Sequence, residues 1–126
     1  MMEDFQEQYS KVCALQEGGW TKIWQVSKLI EASKDLPVFE ANVDELVAQL
    51  ENGTWFGRGR PATIGAVLQH MLRAMNVDLS YPIILASNGK LLDGAHRVIG
   101  AKVKGIRTVR AVQFVKNPPP DEMGPG

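Results

Sequence analysis

A single cysteine, Cys13, stands in the 126 residues of this chain. An intrachain disulfide and a multi-cysteine metal centre are thereby excluded, and the count suits a reducing compartment. An excess of charge of one sign is missing too: fourteen basic and fourteen acidic side chains give a formal net charge of zero. No global field draws the chain to nucleic acid or to an anionic membrane surface, so DNA is not an expected partner. Long apolar runs are absent as well. The opening Met1-Met2-Glu3-Asp4-Phe5-Gln6-Glu7 is acidic and has no apolar centre, so neither a secretory signal nor a membrane span is read there. A cytoplasmic protein without membrane association is expected. The 44% hydrophobic content is enough, at this length, to bury a core without disulfides or metals.

Periodicity orders the rest of the chain. Met2, Phe5, Tyr9, Val12 and Gln16 recur at helical spacing ahead of Gly18-Gly19, which predicts an amphipathic helix within residues 1–17. Being outside the main domain, that helix is a candidate homodimer surface. Residues 18–116 form the domain itself. Ile23-Trp24-Gln25-Val26 reads as a strand, Ser33 to Phe39 as a loop, and Asp44 as the cap of a short helix that buries Leu46, Val47 and Leu50. Gly57-Arg58-Gly59-Arg60-Pro61 is a basic loop. Behind it Ile64, Val67, Leu68, Met71, Leu72 and Met75 keep an unbroken helical stripe, with His70 off it as a surface or boundary residue. The Pro/Gly-rich tail, 117–126, is expected to be extended or disordered. The sum is an α+β fold, a small mixed sheet covered by helices.

The most informative stretch is Asp93-Gly94-Ala95-His96-Arg97. Tyr81 to Leu85 is a strand run, Ser87-Asn88-Gly89 a turn, Lys90-Leu91-Leu92 a second strand, and a short helix follows the motif and closes at Gly105. At a strand-to-helix junction the first backbone N–H groups lack intrahelical partners and the macrodipole adds positive potential, so the turn suits a phosphate. Gly94 lets a ligand approach the backbone, Ala95 lies in the same turn, and Arg97 can fork onto phosphate oxygens; its alternative is a surface salt bridge. His96 can donate to a phosphate or relay a proton, or it can scaffold the loop. Asp93 has two readings, a Mg²⁺ ligand or proton acceptor and a plain helix cap. Arg58 and Arg60 can form a second basic wall or remain a solvated loop. Trp55 and Phe56 can stack a nucleobase or anchor that loop.

The ordered set from Pro82 to Leu85, through Leu91-Leu92-Asp93-Gly94-Ala95-His96-Arg97 and Gly100-Ala101-Lys102, to Gly105-Ile106-Arg107-Thr108-Val109 resembles the core of the ParB/sulfiredoxin superfamily. The resemblance covers residues 81–114 well and the earlier half loosely. It implies a loop that binds nucleotide phosphates, with ATP, ADP or CTP and Mg²⁺ as the cofactors. The sulfiredoxin cysteine position is Ala95, so reductase chemistry is not implied. The helix-turn-helix that follows this core in ParB proteins has no counterpart in the few residues after Phe114. The branch of small free-serine kinases, with an Asp-Gly-His-His-Arg loop, is similar in all but Ala95. That similarity implies a phosphotransferase or nucleotide hydrolase acting on a small hydroxyl substrate, with Asp93, His96 and an early carboxylate as catalytic groups. Glu31, Asp35 and Glu40 are the candidates for the carboxylate, and Glu40 is the choice. The alternative function is a non-catalytic nucleotide-sensing or protein-interaction module.

Overall fold

The structure, a computed structural model, describes residues 12–51 and 62–125. In chain order its elements are β1 (Val12–Glu17), β2 (Trp20–Gln25), α1 (Val26–Ser33), β3 (Phe39–Asn42), α2 (Val43–Leu50), α3 (Ile64–Met75), β4 (Ile83–Leu85), β5 (Leu91–Asp93), α4 (Ala95–Val103), β6 (Thr108–Gln113) and β7 (Glu122–Pro125). The strands lie in a three-stranded sheet of order β1-β2-β7 and a four-stranded sheet of order β3-β6-β4-β5. The fold is α+β, as the sequence pattern predicts. The chain divides into two compact units: the first takes residues up to 37, 84–93 and 112 onward, and the second takes 38–83 and 94–111.

The first unit corrects the reading of the N-terminal segment. The predicted helix would extend through Gln16, yet Val12–Glu17 is a strand paired antiparallel with β2, Glu17 opposite Trp20. Gly18 and Gly19 both have positive φ, 60° and 80°. Two such residues make the tight hairpin turn whose twist matches the flanking strands, so Gly-Gly acts here as a hairpin signal and not as a helix stop. The remainder of the expected helix, residues 1–11, lies outside the described residues. Beyond Gln25 the expected strand gives way to α1, which buries Val26, Leu29 and Ser33 on one face. The core of this unit is Leu15, Trp24, Leu29, Ile84, Ala86, Leu92, Val112 and Phe114.

The tail is ordered and extended, which removes the disordered alternative. Trp24 Nε1 donates to Pro118 O at 2.9 Å, Asp121 N donates to Ile23 O at 2.8 Å, and the Asp121 carboxylate accepts from Gln25 N and Lys28 Nζ. Three consecutive prolines cannot donate to a ladder, so the segment is tied through carbonyls and side chains until β7 pairs with Trp20–Ile23. The β4–β5 connection holds by an Asx turn: Lys90 N donates to Asn88 Oδ1, Ala86 N to Lys90 O, and Gly89 takes φ +84°.

In the second unit α2 is capped by Asn42, whose Oδ1 accepts from Glu45 N at 2.9 Å. Asp44, the expected cap, sits instead in the first turn, where its charge favours the helix dipole. The helix α3 has the predicted bounds and the opposite orientation. Its buried residues are His70 and Ala74, while Ile64, Leu68, Met71, Leu72 and Met75 are exposed, Ile64 by 89%. The reason is the close crossing with α4. A Cβ built on Gly100 of α4 would lie 2.1 Å from Ala74 O and 2.9 Å from Val77 Cγ2. Helices this near admit only a small residue at the crossing, so Ala74 turns inward, His70 one turn earlier is buried on the same face, and the Leu/Met stripe faces outward. Ala41, Val43, Leu46, Ile83, Val98, Ala101, Val109 and Ala111 complete the buried set.

Candidate functional site

The motif turn is built by one glycine. Gly94 holds φ +115° and ψ 20° at the N-cap of α4, and Val98 N donates to its carbonyl at 3.1 Å. Only glycine tolerates that conformation without strain, and a Cβ there would also lie 2.5 Å from Ile83 Cγ2 and 3.0 Å from Arg97 Nη1. The Arg97 guanidinium is therefore folded back over the glycine. Nη1 of Arg97 also donates, at 3.4 Å, to Pro82 O. Gly105, with φ +75°, ends the helix, and Ile106 N returns to Ala101 O as the motif's spacing predicts.

His96, one residue before Arg97, meets a partner that the sequence reading places at the surface or at a boundary. His70 is 2% exposed, and its Nδ1 lies 2.9 Å from His96 Nε2. The ring planes are 3° apart with centroids separated by 5.1 Å. Parallel planes carrying a 2.9 Å contact are at most that far apart, so most of the centroid separation runs within the plane. The imidazoles thus meet edge to edge, the geometry of an N–H···N hydrogen bond rather than of face-to-face stacking. Burial pulls the His96 pKa down to about 4, helped by the positive field of Arg73, by His70 and by Arg97. His70 is lowered by burial and then by Arg73. Both rings are neutral at physiological pH. Arg97 extends its influence to Asp78, whose pKa is depressed first by hydrogen bonds from the Ser80 hydroxyl and backbone N–H.

The second unit therefore gathers Gly94, Ala95, His96 and Arg97 with His70 and Arg73 of α3. His70 and Arg73 are the residues that sequence reasoning missed. The available signal was the pair of small residues Ala66 and Ala74 flanking His70 at helical spacing, with Gly100 on the facing helix; the stronger Leu/Met stripe concealed it. Chemically, the Arg97 guanidinium at the Gly94 turn, with the positive charge of Arg73 acting on the neighbouring imidazoles, makes the start of α4 complementary to an anion.

Other expected site residues are placed elsewhere. Asp93 belongs to the first unit, opposite Ile84 in the β4–β5 register, and its carboxylate helps raise the Cys13 thiol. The helix cap is Gly94, with no side-chain cap bond, so the capping reading of Asp93 is corrected. Cys13 is pushed up to about 12, by burial first and Asp93 second, which leaves it an unreactive thiol. Glu40 is exposed on β3 opposite Arg110 of β6. Glu31 pairs with Lys34 at 2.7 Å. Lys102 is exposed and pairs with Asp44 at 2.8 Å. Arg58, Arg60, Trp55 and Phe56 lie outside the described residues.

Among the described residues no group of three or more His, Cys, Asp or Glu side chains is arranged to hold a metal ion. No described helix is long and apolar enough to cross a membrane. Comparisons of the chain with protein-family models, with curated proteins and with solved structures find no match.

Proposed function

We propose that the second unit binds the phosphate groups of a nucleotide at the start of α4. The observation that carries this reading is the left-handed Gly94 turn at the start of α4 with the Arg97 guanidinium folded over it. In it the first N–H groups of α4 receive an anionic oxygen, Arg97 and Arg73 balance its charge, and the neutral His96 ring offers an N–H donor. The ParB/sulfiredoxin resemblance of residues 81–114 agrees with that use of the turn. Mg²⁺ would arrive with the nucleotide, held mainly by phosphate and water oxygens, and the motif's own carboxylate in the chain is Asp93.

Two activities share this binding step. In a phosphotransferase or nucleotide hydrolase the two arginines also stabilise charge on the transferred group, and a carboxylate of the same unit, with Glu40 the candidate, orients the attacking hydroxyl. In a sensing module binding alone is the event. Calorimetric titration with ATP, ADP and CTP, each with Mg²⁺, tests the reading. Arg97→Ala and Arg73→Ala should each weaken binding about 10- to 100-fold, the loss of one charge-assisted hydrogen bond worth about 1.5–3 kcal/mol. Affinity unchanged in both variants, or no binding by the wild type, refutes it. Product analysis on the binding nucleotide, with Glu40→Gln, then separates catalysis from sensing.

A further inference from the structure

Five large apolar side chains stand in a row on the outward face of α3. Ile64, Leu68, Met71, Leu72 and Met75 recur at helical spacing, and each is at least half exposed. Single apolar residues on a surface are ordinary, whereas a continuous row marks a surface that meets another one. The helix offers water little else. Arg73 is its one charged residue, and it is half-buried and acts on His70 and His96. The row itself carries no charge of either sign. A helix that lies on a lipid surface has lysines and arginines along its polar face, and a single arginine does not make such a face.

We infer that α3 is a homodimer surface: its row from Ile64 to Met75 packs antiparallel against the same row of a second copy of this chain about a two-fold axis. Three observations choose a second copy as the occupant. At roughly 200 Å² for a fully exposed residue of this size, the row presents about 600 Å² per copy, near the 800 Å² per partner of a standard interface. The pattern is also self-complementary. With the axis between Leu68 and Met71, Ile64 comes opposite Met75 of the partner subunit and Leu68 opposite Met71 of the partner subunit, so apolar meets apolar. A formal net charge of zero, finally, sets no repulsion between copies. The surface lies wholly in the second unit and is independent of the anion reading. It takes the place of the dimer helix expected within residues 1–17, where Val12–Glu17 is a strand.

The test uses the full chain. Sedimentation equilibrium from about 1 to 500 µM should show a monomer–dimer equilibrium. Leu68→Glu and Leu72→Glu should each weaken the dimer about 100-fold or more, because every dimer would then bury two carboxylates. Val115→Glu, at a residue that is 92% exposed in the first unit, should leave it intact. Methionine methyl spectra of the wild type locate the contact without any variant: the Met71 and Met75 signals should move with concentration, and that of Met123 on β7 should not. A wild type that is monomeric throughout overturns the inference and leaves the row to a different protein or to the chain's own remaining residues. A dimer that survives both glutamate variants overturns it as well, and so do Met71 and Met75 signals that stay fixed while the dimer forms.

Discussion

Gly100→Ala is the sharpest perturbation the fold offers, because two effects of known size pull in opposite directions. Alanine in a helix interior is favoured over glycine by about 1 kcal/mol. Gly100 is helical, so the change adds no backbone strain, and on an open helix face it would stabilise. The new methyl group, however, would stand 2.1 Å from Ala74 O, against a floor near 3.0 Å for real Cβ contacts. The obstacle is backbone and cannot rotate away, so α3 and α4 must separate by about 0.9 Å, the difference of those two distances. Overpacking of this kind costs about 1–3 kcal/mol. The same separation stretches the 2.9 Å His70–His96 contact beyond hydrogen-bond range, leaving buried imidazole nitrogens unsatisfied for about 1–3 kcal/mol more. After the propensity gain is deducted, a net loss of about 1–5 kcal/mol is expected in denaturant unfolding. Ring ¹⁵N spectra should show the loss of the His70–His96 hydrogen bond. Gly65→Ala on α3 is the control, since its Cβ would meet nothing within 4 Å; it should gain a few tenths to about 1 kcal/mol. A Gly100→Ala protein as stable as the Gly65→Ala one would show that the helices do not cross this closely and would undo the account of why the apolar stripe of α3 faces outward.

Acid should unfold the protein through the same pair. His96 is held at about 4 in the folded chain against 6.5 ordinarily, so the unfolded chain binds its proton first as pH falls. The contribution is complete above about pH 6.5 and is lost progressively down to about pH 4, by at most about 3 kcal/mol; a His96→Gln variant with the same pH slope in that window would contradict the assignment. In the first unit, Trp24→Phe removes the donor to Pro118 O and part of a buried ring. A loss of about 1–3 kcal/mol is expected, with faster proteolysis across 117–125. Cleavage at the wild-type rate would show that the indole does not hold the tail.

Several features were legible in the chain alone because they are local. The limits of α3, the strand–turn–strand run into the motif, Gly94 as a backbone requirement and Gly105 as a helix stop all follow from periodicity and from φ values that only glycine adopts freely. The α+β class followed from the same patterns. The N-terminal segment failed for a reason equally local: Gly18-Gly19 serves a helix end and a hairpin turn alike, and only pairing with β2 chose between them. Burial was decided in tertiary structure. The α3 pattern specifies an apolar face, but the close approach of α4 at Gly100 gives the inward side to Ala66, His70 and Ala74. The tail, whose prolines suggested no ladder, is ordered by the Trp24 indole, by the Asp121 contacts with Gln25 and Lys28, and by the pairing of β7 with β2, contacts with partners far away in sequence. His96 and Arg97 could be read from the motif, whereas their partners could not. His70 lies 26 positions earlier, and nothing in local propensity indicates which side chain a crossing helix brings within 2.9 Å. The sequence by itself determined the turn that presents the α4 N-terminus. The tertiary structure alone decided which side chains surround it, because helix–helix distance is set by the smallest residues at the crossing and not by the most hydrophobic ones.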